Sequence, residues 1–166
     1  MKKDYLVKLL NGIGTFIVVV VIILAIPLTV PKVFGFELYG ILSESMEPAI
    51  DTGSIVYVRD VAAEDIVSGD IITYKMDAKS ETVATHRVVS VDKDKRCFVT
   101  KGDNNESVDA SPVSFDRLLG RTEFSIPFLG SLFLFIHSMN GIALIVIMFS
   151  VSIICWVFAD FLKNKK

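Results

Sequence analysis

The stretch IGTFIVVVVIILAIPLTV, from Ile13 to Val30, runs for eighteen residues without a charge. A helix of that length is long enough to cross a hydrocarbon core of about 30 Å. A cleavable signal peptide is the alternative, but the run is long and no small-x-small cleavage site directly follows it. Pro27 and Pro31 more naturally mark the exit from the bilayer. The sequence therefore predicts a retained transmembrane helix over residues 13–31, after a cytoplasmic N-terminus over residues 1–12.

A second apolar region runs from Ile126 to Leu162 and is too long and too interrupted for one straight span. Pro127 and Gly130 break it near its start, and Trp156 near its end suits a membrane interface. We expect three consecutive parts: a juxtamembrane segment over 128–140, a second transmembrane helix over 141–160 and a basic cytoplasmic tail over 161–166.

The charges predict the orientation of these two spans. Lysines lie outside both runs, three before the first and three after the second: Lys2, Lys3, Lys8, Lys163, Lys165 and Lys166. The middle of the chain, from Glu37 to Pro127, has 10 Lys/Arg and 17 Asp/Glu. The positive-inside rule then puts both termini in the cytoplasm and the acidic middle outside the cell membrane. An acidic domain without a basic cluster gives no support for nucleic-acid binding.

The two cysteines, Cys97 in the middle segment and Cys155 in the second apolar region, lie too far apart in this topology to pair. A disulfide framework and a thiol-rich metal site are therefore not expected. Cys97 sits in an apolar strand pattern, which favours a buried structural cysteine over a nucleophile.

Residues 32–127 have the pattern of a small β domain, with short β-type runs separated by turn residues. The predicted strands are Gly53–Val58, Asp70–Tyr74, Val83–Val91 and Cys97–Thr100, with helical turns possible at Val61–Val67 and Phe115–Leu119. The fold class expected is a mainly β extracytoplasmic domain flanked by N- and C-terminal transmembrane helices.

The segment Ser43-Glu44-Ser45-Met46-Glu47-Pro48 offers a nucleophile for amide hydrolysis. In an extended stretch the side chains of residues i and i+2 point the same way, so Ser43 and Ser45 would share a face. The Ser43 hydroxyl could then donate to the carbonyl oxygen that Ser45 attacks, beside the Ser45 backbone N–H. The alternative is a polar turn that leaves the membrane.

His86 is the candidate base for Ser45, because the only other histidine, His137, lies in the second apolar region. An imidazole can accept the serine proton and return it to a leaving amine near neutral pH. A carboxylate on its other nitrogen would fix the tautomer, and Asp103 and Asp109 are both candidates. Asp103 lies in a Gly-Asp-Asn-Asn turn, where it could instead bind backbone N–H groups.

Four segments together resemble the ordered boxes of type I signal peptidase. They are Ser43–Pro48, Gly69-Asp70-Ile71-Ile72-Thr73-Tyr74, Thr85-His86-Arg87-Val88-Val89 and Lys101-Gly102-Asp103-Asn104-Asn105. The match is to the endoplasmic-reticulum, archaeal and spore-former branch, in which histidine replaces the lysine base. The resemblance implies that Ser45 is the nucleophile, His86 the general base and Ser43 an oxyanion-hole donor. Asp103 and Asp109 match acidic positions, and we favour Asp109 as the triad acid and Asp103 as a structural or auxiliary carboxylate.

The resemblance implies a serine endopeptidase that removes signal peptides from exported proteins, cleaving after small residues, as in Ala-x-Ala. It implies a β catalytic domain that binds an extended peptide, with no metal or nucleotide cofactor. The apolar run from Val33 to Leu42 could contact membrane lipid or pack in the core. Alternatives are processing of a narrow set of membrane or spore-coat-type proteins, a non-catalytic membrane-anchored domain that is either an assembly factor or a degenerate relative, and a Ser–Lys enzyme using Lys75 or Lys101.

Overall fold

The computed structural model describes residues 2–78 and 81–164, so Lys165 and Lys166 of the predicted basic tail lie outside the described residues. The chain divides into two compact units. One contains the two chain ends, up to Val30 and from Phe133 onward, and the other is Pro31–Leu132.

Helices form the two ends of the chain: α1 is Lys2–Val33, α2 is Leu129–His137 and α3 is Met139–Asn164. Both α1 and α3 are long and apolar enough to cross a membrane, by length and composition. This confirms the expected apolar helix at each end. α1 continues through Pro27 and Pro31. Gly14 lies against Trp156, where an added Cβ would be 2.7 Å from the indole nitrogen.

The unit Pro31–Leu132 is built on one curled antiparallel sheet of seven strands, in the order β1-β2-β7-β3-β4-β5-β6. Its strands are β1 Phe36–Gly40, β2 Ile55–Arg59, β3 Ile71–Lys75, β4 Val83–Asp92, β5 Cys97–Lys101, β6 Val113–Ser114 and β7 Leu118–Ile126. Three single 3₁₀ turns lie between strands, at Glu44–Met46, Ala63–Asp65 and Phe115–Arg117. The mainly β fold class is thus confirmed.

Strands β1, β6 and β7 have no counterpart among the predicted strands. β1 belongs to the apolar run from Val33 to Leu42, whose residues separate in the structure: Ile41 is buried in the core, whereas Phe34 and Leu42 are exposed. In β7, Gly120 has φ +151° and the register against β3 shifts between Thr73 and Tyr74, so simple alternation is lost.

The domain core consists of two hydrophobic clusters. The larger one is Ile66, Ile72, Tyr74, Val88, Phe98, Val113 and Phe115, in which the rings of Phe98 and Phe115 stack at 4.6 Å. The smaller one is Ile41, Met46, Ile50, Val56 and Val58. Cys97, expected to be buried, is a half-buried free thiol on β5, and Cys155 is also free. The two clusters fix the two sides of the candidate site described below.

We expect Gly120→Ala to destabilise the domain more than Gly69→Ala. Both glycines have positive φ, but a Cβ on Gly120 would collide with the Arg59 carbonyl group, whereas Gly69 has open space around it. Backbone strain alone should cost about 1–2 kcal/mol at Gly69, and strain with overpacking about 3 kcal/mol or more at Gly120. Unfolding of the full chain in detergent measures both, and equal losses would contradict the collision at Gly120.

Candidate active site

Ser45 lies in the 3₁₀ turn Glu44–Met46 at the start of the domain. Met46 is 1% exposed in the smaller core cluster, and its carbonyl accepts the Ile50 N–H at 2.9 Å. Ser43 has extended backbone angles, but Ser45 is in the 3₁₀ turn, so the expected extended stretch ends between them. Their hydroxyl oxygens nevertheless lie 3.1 Å apart. Burial of the residue next to Ser45 therefore holds the hydroxyl pair in place.

His86 lies on β4, where its side chain is 15% exposed. Its Nε2 is 3.2 Å from the Ser45 Oγ, within hydrogen-bond reach of a nucleophile and base pair. Its neighbours along β4 have other partners: Thr85 is buried and bonds Thr73, and Arg87 binds Asp103. The structure thus brings together the serine and histidine that the sequence singled out. Lys75, considered above as an alternative base, pairs with Glu81.

Asp109 is the carboxylate that lies against His86, with its Oδ2 2.6 Å from Nδ1. The same oxygen accepts hydrogen bonds from the Thr100 hydroxyl at 2.6 Å and the Tyr74 hydroxyl at 3.1 Å. Burial opposes ionisation of Asp109, but the hydrogen bonds from Thr100, His86 and Tyr74 outweigh it and hold the pKa of the carboxyl below its usual value. An ionised Asp109 accepts the Nδ1–H, which leaves the Nε2 lone pair facing Ser45.

Asp103 lies elsewhere and forms a two-pronged ion pair with Arg87. The Arg87 Nε and Nη2 donate to its two oxygens at 2.8 and 2.6 Å, and Nη1 donates to the Gly69 carbonyl at 2.9 Å. The hydrogen bonds to Asp103 raise the pKa of the guanidinium further. Of the two acids left open by the sequence, Asp109 contacts His86 and Asp103 does not occupy that place.

The loop that contains Asp103 is also hydrogen-bonded to the 3₁₀ turn that contains Ser45. The Asn104 N–H donates to the Ser45 carbonyl at 2.9 Å, and Asn105 N–H closes the turn on the Gly102 carbonyl at 3.0 Å. A Cβ on Gly102 would lie 2.5 Å from the same Ser45 carbonyl, so only glycine permits this approach. The Arg87–Asp103 pair therefore fixes a loop that holds the backbone of Ser45.

Sequence reasoning did not assign roles to Tyr74, Thr100 or Arg87. A tyrosine and a threonine in β-type runs are ordinary strand residues, and their spacing along the chain indicates nothing special. Only the pairing of β3 with β4 and of β4 with β5 brings Tyr74 and Thr100 to Asp109. Arg87 follows His86 directly in the sequence. Its pairing with Asp103 could not be predicted, because it depends on where the loop that contains Asp103 lies in the fold.

An open groove of about 570 Å³ leads to Ser45 and His86. The last residue of β1, Gly40, and the segment that follows it to Ser43 line one side, and the start of β4, from Val83 to His86, lines the other. β1 is an edge strand, and β5 pairs with β4 only from Arg87 onward. Both sides of the groove are therefore strand edges that face an apolar channel.

Comparison with known proteins confirms the resemblance found in the sequence motifs, although no family model matches the chain. The chain is 42% identical over 101 residues to signal peptidase I W of Bacillus subtilis, covering 58% of this chain and 52% of that protein. It is 43% identical over 72 residues to the signal peptidase complex catalytic subunit SEC11 of Eremothecium gossypii, with 42% of each chain covered. It is 30% identical over 100 residues to human SEC11C, covering 54% and 52%. The chain spans about half the length of the curated relatives that it matches.

Proposed function

We propose that this chain is a membrane-anchored serine endopeptidase that removes N-terminal signal peptides from exported proteins. The observation that carries the proposal is the hydrogen-bonded series from the Ser45 Oγ through His86 to Asp109, at 3.2 and 2.6 Å, beside an open groove. The similarity to proteins named signal peptidase supports the choice of substrate class.

In the first half of the reaction, the Ser45 Oγ attacks the carbonyl carbon of the scissile bond, and its proton passes to the His86 Nε2. Asp109 stabilises the imidazolium that forms without taking the proton itself. The tetrahedral intermediate then collapses, the C–N bond breaks, and His86 gives its proton to the leaving amine. The signal peptide remains attached to Ser45 as an ester.

The developing oxyanion needs hydrogen-bond donors near Ser45. The Ser43 hydroxyl lies 3.1 Å from the Ser45 Oγ, and the Ser45 backbone N–H is in the same turn. When Ser45 donates to His86, Ser43 is the donor in the Ser43–Ser45 hydrogen bond, and its hydroxyl can turn that proton to the substrate oxygen once the substrate is bound. We assign these two donors to the oxyanion hole.

In the second half, a water molecule replaces the amine. His86 takes one proton from the water as its oxygen attacks the ester carbonyl, and returns that proton to the Ser45 Oγ when the ester bond breaks. The products are a carboxylic acid at the end of the signal peptide and a free amine on the exported protein. No group other than water is consumed.

The groove supports an extended peptide as substrate. A peptide between β1 and the start of β4 can form main-chain hydrogen bonds with a strand edge on each side, which is β-strand addition. The apolar lining of Ile41, Met46 and Ala84 suits small apolar side chains near the scissile bond. Cleavage after small residues is therefore part of the proposal.

We further propose that both termini are cytoplasmic and that the β domain is extracytoplasmic. The two apolar helices and the excess of 17 Asp/Glu over 10 Lys/Arg between Glu37 and Pro127 support this arrangement. A signal peptide is itself a membrane-inserted segment, so anchoring the enzyme in the same bilayer brings its cleavage site and Ser45 together.

Separate Ser45→Ala and His86→Ala variants should each lose about 10⁵- to 10⁶-fold in kcat, because the residues act as one unit. The measurement is processing of a purified precursor by the full chain in lipid vesicles. His137→Gln is the matched control, because His137 is exposed and its Nδ1 lies 2.9 Å from the Phe133 carbonyl oxygen of the same helix. Normal processing by either Ala variant would overturn the proposed function, and so would an inactive wild-type chain.

Asp109→Asn should lower kcat about 10⁴-fold, because an amide at this position favours the wrong imidazole tautomer. Asp103→Asn removes the charge from the Arg87 pair and loosens the loop that holds Ser45, so we expect a smaller loss of about 10-fold together with lower thermal stability. The same precursor assay and thermal unfolding in detergent distinguish the two. A larger kcat loss for Asp103→Asn would contradict the assignment of Asp109.

Topology can be measured with single cysteines in a chain that carries Cys97→Ser and Cys155→Ser. Asp94→Cys places a thiol in the exposed β4–β5 turn, and Lys163→Cys places one near the end of α3. A membrane-impermeant maleimide should label position 94 in intact cells and position 163 only after permeabilisation. Labelling in the opposite order would contradict the proposed orientation.

A further inference from the structure

We propose that Tyr74 and Thr100 are positioning residues whose hydroxyl groups together orient the Asp109 carboxylate toward His86. The inference rests on the proposed function, because its purpose is to prepare His86 to take the Ser45 proton. Neither residue is among the described residues that line the groove leading to Ser45 and His86.

The three donors converge on one carboxylate oxygen. The Asp109 Oδ2 lies 2.6 Å from the His86 Nδ1, 2.6 Å from the Thr100 hydroxyl and 3.1 Å from the Tyr74 hydroxyl. An ionised carboxylate can only accept hydrogen bonds, so each hydroxyl must donate its single proton to it. The Thr100 and Tyr74 hydroxyls therefore orient the Asp109 carboxylate independently of its hydrogen bond with His86.

The sheet itself determines this convergence. Tyr74 is on β3, His86 on β4 and Thr100 on β5, three neighbouring strands in the sheet order. The Asp109 backbone N–H also donates to the Thr100 carbonyl at 2.8 Å, so Thr100 holds Asp109 by both main chain and side chain. Thr100 is 1% and Tyr74 6% exposed, so water does not compete for their protons.

The charge balance around Asp109 shows why two extra donors matter. Burial raises the cost of the Asp109 anion, and the hydrogen bonds from Thr100, His86 and Tyr74 reverse that effect on its pKa. Among the described residues, Arg117 is a further charged group on this side; it lines the adjacent cavity of about 300 Å³ and donates to the carbonyls of Met76 and Pro112. The two hydroxyls therefore keep the carboxylate ionised while His86 gains a proton.

A role in packing alone is the competing explanation, because Tyr74 belongs to the larger core cluster. Tyr74→Phe and Thr100→Val remove the hydroxyl and keep nearly the same shape, so they separate the two explanations. Thr100→Ser keeps the hydroxyl and loses a methyl group. Thr73→Val is the matched control, since Thr73 is buried next to Tyr74 on β3 but bonds Thr85 and Thr122.

We expect Tyr74→Phe and Thr100→Val to lower kcat by about 10- to 100-fold with little change in KM, as for loss of a hydrogen bond to a charged group. Thr100→Ser should stay within about threefold of wild type. With one donor fewer, the pKa of Asp109 rises, and its more basic carboxylate forms a stronger hydrogen bond with a protonated imidazole. The acid limb of the activity profile should therefore move to higher pH in both variants and stay in place in Thr73→Val.

A second measurement does not depend on activity. The chain has two histidines, so ¹⁵N-histidine labelling in detergent gives two imidazole spin systems, and His137→Gln identifies which is His86. The wild type should show a low-field Nδ1–H proton from the 2.6 Å contact with Asp109. That resonance should shift in Tyr74→Phe and Thr100→Val and stay unchanged in Thr73→Val.

The two measurements separate failure of this inference from failure of the proposed function. If the wild type cleaves precursor but both isosteric variants keep its kcat, its acid limb and its Nδ1–H resonance, the positioning role is excluded while the peptidase assignment stands. If the wild type cleaves no precursor but the Nδ1–H resonance responds as expected, the hydroxyl pair orients Asp109 and the proposed function is wrong.

Discussion

The hydrogen bond from the Asn104 N–H to the Ser45 carbonyl, at 2.9 Å, connects the turn that contains Ser45 to the loop that follows β5. Ser45 belongs to a turn whose Met46 is anchored in the smaller core cluster, whereas His86 lies on a strand of the larger one. The loop from Gly102 to Asn105 connects them, and the Arg87–Asp103 ion pair fixes that loop. The 3.2 Å between the candidate nucleophile Ser45 and the candidate base His86 thus depends on a loop that holds the main chain of Ser45.

The two acids that the sequence left open are separated by the alternation of side chains along β4. Consecutive strand residues face opposite sides of the sheet, so His86 and Arg87 each meet a different carboxylate. Asp109 takes the imidazole and Asp103 the guanidinium. A rigid sheet between them keeps the two negative charges apart, which suits a site where charge must develop on one side only. Preorganisation of this kind resides in the strands rather than in the flexible side chains.

The sequence predicted more of the chemistry than of the geometry. His86 could be singled out because the chain has only two histidines. The two apolar helices could be predicted because their uncharged runs are long enough to cross a hydrocarbon core. β7 was not predicted because Gly120 and a register shift interrupt its alternation of side chains. The turn that contains Ser45 was not predicted because a single 3₁₀ turn has no sequence periodicity. Tyr74 and Thr100 could not be assigned, since their meeting depends on register between strands that are distant in sequence.

The groove between β1 and the start of β4 has a consequence for selectivity. A helical segment has already used its main-chain N–H and C=O groups internally, so it gains nothing from two strand edges. An extended segment satisfies both edges at once, whatever its side chains. In the proposed peptidase, the groove would act as a conformational filter that selects first by secondary structure and then by side-chain size. A membrane-spanning helix that reached this groove would gain no strand pairing until it unwinds, so intact helices in the same bilayer would not be cleaved.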